Sequence, residues 1–260
     1  MRLRDKITII TGAAKGLGRD VTLALAEEGA HLVMVGRDVD ALQGVAAEVA
    51  ALGRRVEVVK ADLREPGEVA AMVHKARDFG GGRIDVLVNA AGVSARDPVP
   101  LWDQPVEDFA RFFDTNVKGV FLTMKYVLPI MIGQKSGRIV NVGGTFGHRG
   151  VEGNSLYAAS KWALRGVTKS AAVEAGRHGV GINIVAPGGV EGPSFDGWLA
   201  EEAARRDIAP ATMFDRFVSG AAMRRLSRAS DIANAIVFLA SDASRNITGH
   251  DLLVDGGTIM

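Results

Sequence analysis

Lys6-Ile7-Thr8-Ile9-Ile10-Thr11-Gly12-Ala13-Ala14-Lys15-Gly16-Leu17-Gly18 is the stretch that decides the fold. An apolar run ends at Thr11, three glycines follow at positions 12, 16 and 18, and an amphipathic stretch begins. Val, Ile and Thr fit a pleated surface, so the run reads as a strand. Glycine allows a tight turn and close backbone approach, and the start of the next helix offers free N–H groups and a positive dipole end. Strand, turn and helix form a cradle for a dinucleotide pyrophosphate. A structural turn is the alternative, and the strand–turn–helix setting favours the nucleotide.

Outward from that stretch, short apolar runs alternate with helix-length segments. Strands are expected at 6–11, 31–36, 55–60, 84–89, 137–143, 181–186 and 251–254. Helices are expected at 17–28, 41–52, 68–79, 109–131, 155–178 and 231–241. This alternation predicts an α/β fold: one Rossmann-type doubly wound domain over residues 1–260, with helices on both faces of a parallel sheet. The rhythm fails only at about 188–229, where Pro, Gly and short helical pieces recur without a strand. An insertion after the sixth strand lies at the C-terminal edge of the sheet, where ligands bind. It reads as a substrate lid, or otherwise as an ordinary surface excursion.

The bulk composition excludes several roles. The 260 residues are 47% hydrophobic and 23% charged, as in a soluble globular protein. With 31 basic and 30 acidic residues the net charge is +1, which favours neither nucleic acid nor an anionic membrane as partner. The absence of cysteine excludes disulfides, thiolate metal sites and cysteine nucleophiles, and no metal site is expected. Met1 to Lys6 lead straight into a strand with no signal-peptide core, and the apolar stretch 127–132 is too short to span a bilayer. A cytoplasmic enzyme acting on a small molecule is the expectation.

Charge after the second strand bears on the cofactor. An acid there would accept from a ribose 2′-OH and repel a 2′-phosphate. The chain has Gly36-Arg37-Asp38, with Lys15 in the glycine turn within reach of the same place. Two cations favour NADP(H); if they are merely solvated, Asp38 would serve NAD(H). Asp62-Leu63 past the third strand suits the adenine, or a turn cap. Asn89-Ala90-Ala91-Gly92 leaves room for the adenine ribose, and Asn89 can tie strand ends together; taken alone, the motif reads as a simple strand-end turn.

Tyr157-Ala158-Ala159-Ser160-Lys161 supplies the chemistry. Residues four apart share a helix face. A phenol has a pKa of about 10 and is a poor base at neutral pH. A neighbouring ammonium, with the positive charge of an oxidised nicotinamide, is expected to lower that pKa, so that Tyr157 exchanges a proton with a substrate oxygen.

Taken together, Thr11–Gly18, 89–92, Asn116, Tyr157 with Lys161, Ala186-Pro187-Gly188 and the ending Ile247-Thr248-Gly249 to Gly257 resemble the short-chain dehydrogenase/reductase family over essentially the whole chain. The subgroup most similar contains 3-oxoacyl carrier-protein reductases and many bacterial alcohol and sugar dehydrogenases. The resemblance implies seven parallel strands and Tyr157 as acid/base. It also implies that Lys161 binds the nicotinamide ribose, that Asn116 holds a relay water, and that Gly12, Gly16, Leu17, Gly18, Pro187 and Gly188 lie along the cofactor. A homotetramer, or a homodimer, built through the helices of Asn116 and Tyr157 is implied as well. From the residues alone, Asn116 reads rather as a buried helix-kink residue.

Two positions depart from the family. Its usual Ser thirteen residues before the Tyr is Gly144 here, and its usual Thr five after the Pro is Gly192. For the first, candidates are Thr145, then the substrate or a water, then Ser155, which otherwise reads as a helix N-cap. For the second, the backbone of Val190 or Gly192, or the Ser194 hydroxyl, is available. Candidate substrate-wall residues are Ser94, Arg96, Phe146, His148, Phe195 and Trp198. Arg96 and His148 suit an anionic group, or are a surface Arg and a loop His. The leading function is NADP(H)-dependent interconversion of a carbonyl and an alcohol. The alternatives are an NAD-dependent alcohol, polyol or hydroxy-acid dehydrogenase, and a nucleotide-binding sensor or scaffold with little catalysis.

Overall fold

The structure is a computed structural model that describes residues 1–94 and 98–259. Seven strands alternate with helices: β1 Ile7–Thr11, β2 His31–Gly36, β3 Val56–Lys60, β4 Val86–Asn89, β5 Gly137–Val142, β6 Val180–Pro187 and β7 Asp251–Val254. All pair in parallel, in the order β3-β2-β1-β4-β5-β6-β7. Strand order reverses between β1 and β4, and Thr11 at the end of β1 lies opposite Asn89 at the end of β4. A crevice opens beyond the carboxyl ends at such a reversal.

The period of two along each strand divides the core. Ile9, Val33, Val35, Leu87, Ile139 and Ile182 pack on one face with Met72, Val120, Val127, Met131 and Leu164. Ile10, Leu32, Met34, Val88, Val140 and Val185 pack on the other with Val21, Leu25, Leu42, Ile232 and Ile236. Those helical residues come from α1 Gly16–Glu27, α2 Val39–Ala51, α3 Pro66–Phe79, α5 Gly119–Gln134, α6 Ser155–Gly176 and α9 Ala229–Ala240. Each fully buried aliphatic side chain contributes about 1.5–3 kcal/mol relative to exposure, so two covered faces supply the driving force for one Rossmann-type domain.

Two expectations need correction. The helix expected over 109–131 is interrupted. A short α4, Glu107–Phe113, runs into a π turn at Asp114–Lys118 before α5 continues. One residue too many for the α repeat is absorbed there, as is common at functional sites. Helix α6 starts at Ser155, so Asn154 is its N-cap residue and Ser155 is not. The segment 188–229 carries α7 Pro193–Arg205 and α8 Pro210–Ser219, each begun by a proline whose missing N–H costs nothing in a first turn.

Candidate active site

The glycine turn lies at the reversal of strand order. Gly12 has φ +72°, and a Cβ on it would come 2.7 Å from the Cα of Ala91. A Cβ on Gly18 would collide with the Gly12 carbonyl. Gly16, the first residue of α1, has open space around its missing side chain. The turn therefore packs tightly inward and lies open outward, as a pyrophosphate cradle requires. The Ala91 N–H donates to the Thr11 hydroxyl at 3.2 Å, which ties β1 to the loop after β4.

Around the expected adenosine end, the acids have partners. Lys15 Nζ is 2.7 Å from Asp38 Oδ2, an ion pair open to solvent on both sides. Asp38 also caps α2 through the Ala41 N–H, and its carboxyl is held below the usual range, chiefly by Lys15. Arg37 is exposed beside them. The Arg64 guanidinium forks onto Asp62 at 2.6–3.1 Å and holds that carboxyl down at about 2. Leu63 packs against Gly119. Asn89 is buried: its amide donates to Asn141 Oδ1 at 2.9 Å and its oxygen accepts from Thr123 at 2.9 Å, so it ties strands and a helix together.

Helix α6 places Tyr157 in its first turn and Lys161 one turn later. Lys161 is only 7% exposed; its ammonium donates to the Val142 carbonyl at 3.2 Å and lies 5.7 Å from the centre of the Tyr157 ring. Phe146 packs edge-on to that ring at 5.6 Å, and Phe112 lies tilted at 5.9 Å. Phe112 was not anticipated; its only sequence signal is the aromatic repeat in Phe109-Ala110-Arg111-Phe112-Phe113.

The electrostatics differ from the sequence expectation. Burial pushes the Tyr157 phenol up to about 12, with a hydrogen bond from Ser94 opposing it. Burial pushes Lys161 down to about 8. Desolvation disfavours both charged forms, and here it outweighs their proximity. The phenol is thus a neutral acid at neutral pH, while Lys161 is mostly charged.

Asn116, in the π turn, is 1% exposed. Its side chain accepts from the Val93 N–H at 2.9 Å and donates to the Val93 carbonyl and the Ser160 hydroxyl, both at 3.1 Å. Ser160 in turn donates to the Tyr157 carbonyl at 2.7 Å. The Asn116 side chain therefore clamps the loop after β4 to the tyrosine helix.

At Gly144 a Cβ would lie 3.9 Å from the Tyr157 hydroxyl, so a side chain there would face the phenol. Thr145 is buried where it opens a 3-10 turn over Thr145–Gly147. The Ser155 hydroxyl and His148 Nε2 are buried without partners among the described residues. Burial lowers the His148 pKa, and its charged neighbours are Arg165, Asp251 and Lys169. Arg165 joins Asp251 at 2.8 Å and also donates to the Gly147 carbonyl at 2.8 Å, which steadies that turn.

Beyond β6, Gly188 packs on Asp255 and Val190 bridges Ser227. Gly192 has φ +136°, a conformation that a threonine would strain to adopt. Phe195, Trp198 and Phe217 form a mutual aromatic cluster at 5.0–5.5 Å that knits α7 to α8. Arg96 lies outside the described residues. No helix among those described is long and apolar enough to cross a membrane.

A parallel sheet with an open glycine turn at its reversal point, together with a half-buried phenol and a buried ammonium on one helix, agrees with an NAD(P)-dependent oxidoreductase of alcohol and carbonyl groups. A family model described as enoyl-(acyl carrier protein) reductase matches residues 12–258, and the chain belongs to the short-chain dehydrogenase/reductase family. It is 36% identical over 260 residues to the 3-oxoacyl-[acyl-carrier-protein] reductase FabG of Thermotoga maritima, covering 100% of both chains. It is 35% identical over 262 residues to oxidoreductase UcpA of Escherichia coli strain K12, covering 100% of this chain and 96% of that one. Among solved structures, levodione reductase superposes with a TM-score of 0.91 at 32% identity, covering 98% of each chain. NAD+-bound xylitol dehydrogenase also superposes at 0.91, with 29% identity, covering 99% of this chain and 100% of that one.

Proposed function

We propose that this chain interconverts a ketone or aldehyde and an alcohol with NADP(H), and that Tyr157 exchanges the proton. The observation that carries the reading is the Tyr157 phenol with the buried Lys161 ammonium 5.7 Å from its ring centre, held by the Val142 carbonyl at the end of β5. A bound nicotinamide supplies or accepts the hydride. In reduction, the oxygen left with negative charge is far more basic than a phenolate, so Tyr157 protonates it readily even at a raised pKa. Lys161, held by Val142, keeps a positive charge close to the phenolate that results.

The cradle of Gly12, Gly16, Leu17 and Gly18 fits a pyrophosphate, with Asp62 and Leu63 toward the adenine and Asn89, Ala90 and Gly92 along its ribose. Lys161 and Tyr157 would hold the nicotinamide ribose, and Pro187, Gly188 and Val190 the nicotinamide edge. Ser94, Phe146, Phe195 and Trp198 wall the substrate, and 188–229 closes over it as a lid. Loss of NADPH absorbance across a panel of carbonyl compounds tests the reading. Tyr157→Phe is expected to lower kcat by at least about 10²-fold, and an unaffected variant rejects it.

NADP(H) is favoured by Arg37 and Lys15. The Lys15–Asp38 pair supports a second reading, because it engages one cation and keeps an acid close to where a 2′-OH would lie. Arg37→Asp is expected to shift the kcat/KM ratio toward NADH by at least about tenfold, by adding repulsion toward a 2′-phosphate. An unchanged ratio makes Arg37 irrelevant to the choice. A sensor without catalysis is disfavoured, since binding alone needs neither Tyr157 nor Lys161 in this arrangement.

A further inference from the structure

Two glycines follow β5, and packing demands only the first. A Cβ on Gly143 would stand 2.7 Å from the Ile184 side chain, too close for any residue but glycine. Gly144 has no such constraint. Its backbone is extended, at φ 160° and ψ 157°, which any residue adopts. Beyond its chain neighbours, the only heavy atoms within 4 Å of a Cβ there, among the described residues, are the Tyr157 hydroxyl at 3.9 Å and the Pro187 carbonyl oxygen at 4.0 Å. Both are oxygens, so the space left open is polar. The Pro187 carbonyl also lacks a donor. The amides of Ile184 and Gly188 bond toward β7, whereas the Val185 carbonyl accepts from Gly143 on the β5 side. Alternation turns Pro187 to the β5 side as well, past the last β5 residue, Val142. Among the described residues, nothing in the loop beyond donates to it.

We infer that Gly144 is a specificity-determining position, which makes room for a substrate that carries a hydroxyl on the carbon next to its carbonyl. The substrate pair is then a vicinal hydroxy-carbonyl compound and a vicinal diol. This rests on the carbonyl–alcohol reading above. The hydroxyl enters the space beside Gly144 and donates its one proton to the Pro187 carbonyl. The reacting oxygen lies next to it, at the Tyr157 phenol. In reduction the carbonyl carbon gains a hydride and its oxygen gains the Tyr157 proton, while the neighbouring hydroxyl keeps its own. Two oxygens on adjacent carbons suit two protein oxygens that border one small space. A methyl group in the same place would leave the Pro187 carbonyl unpaired, and a site that bonds a substrate hydroxyl rejects the analogue lacking it.

The test measures kcat/KM of the full-length protein on matched carbonyl pairs in which a methyl replaces the hydroxyl: hydroxyacetone against butanone, and phenacyl alcohol against propiophenone. Wild type is expected to prefer the hydroxylated member by at least about tenfold. A hydroxyl also makes the carbonyl more reactive by itself. The deciding quantity is therefore the change of preference on substitution, from which that intrinsic part cancels. Gly144→Ala fills the space with a methyl and is expected to cut the preference at least about tenfold. Gly144→Ser is expected to cut it too, and to raise kcat on butanone, because its own hydroxyl then faces the phenol.

Butanone activity retained in the same variants shows that they are folded. A preference that stays within about threefold of wild type in Gly144→Ala overturns the inference, since water or nothing then fills the space. Loss of all activity in both variants overturns it too, because room for a hydroxyl predicts that butanone is still reduced. A wild type that reduces both members of each pair alike overturns the inference and leaves the reaction standing. A wild type that reduces no carbonyl in a broad panel, with either nicotinamide cofactor, rejects the reaction and the inference with it.

Discussion

At Lys161, burial and charge pull against each other, and pH decides which prevails. Its ammonium titrates near 8 and not at the ordinary lysine value of 10.5, because the side chain is desolvated. Below about 8 the cation is present; above it, the charge beside the phenol is lost. The parameter kcat/KM for NADPH, which reports groups of the free enzyme, is therefore expected to fall as pH rises through about 8. A profile flat up to 10.5 would place Lys161 in a wetter setting. The sequence makes the Tyr157–Lys161 pair legible because four-residue spacing on a helix is a local property. It hides the direction of the pKa shifts, which depends on how much water the fold excludes. It also hides the hold of Asn116 on Val93, because only the fold brings those two residues together.

Strands and helices differ in how far they can be read. The strands were legible within two residues because both faces of the sheet are covered, leaving unbroken apolar runs. The break between α4 and α5 was not, since 109–131 reads as one helix-length segment and carries no local signal for the π turn at Asp114–Lys118. Behind the site runs a buried polar chain: Thr123 to Asn89 to Asn141 to Thr168, with bonds of 2.9 Å at each link. It joins β4 and β5 to α5 and α6, and so seats the tyrosine helix on the sheet. Asn141→Ala leaves the Asn89 amide without its acceptor, and is expected to cost about 1–3 kcal/mol in urea unfolding. Unchanged stability would mean that water takes over the bond.

On the scale of the molecule, the order of strands places the glycine turn after β1, the loop after β4 and the start of segment 188–229 at the carboxyl edge of the sheet. That edge was legible from the order of motifs alone. In the sequence, assembly rests on the family resemblance alone, because no intrachain pattern marks a surface meant for another copy. We propose a homotetramer built through α5 and α6, supported by Phe121, Trp162 and Val173, which are 47%, 48% and 82% exposed on those helices. Scattered exposed apolar residues are common, but three large ones on paired helices favour a covered face. Sedimentation equilibrium is expected to give a multiple of the 27.4 kDa chain, with Trp162→Glu shifting it toward the single chain. A wild type that sediments as one chain rejects the proposal.

Because the Lys15–Asp38 pair lies open to water, the choice between the two dinucleotides becomes a matter of ionic strength. On the proposed NADP(H) reading, an extra phosphate would draw Lys15 away from Asp38 with Arg37 assisting, and all these attractions pass through solvent. Dissolved ions confine them to about 8 Å at 0.15 M and about 3 Å at 1 M. Discrimination is then expected to narrow as potassium chloride is added, so that the enzyme is choosier in dilute buffer than in brine.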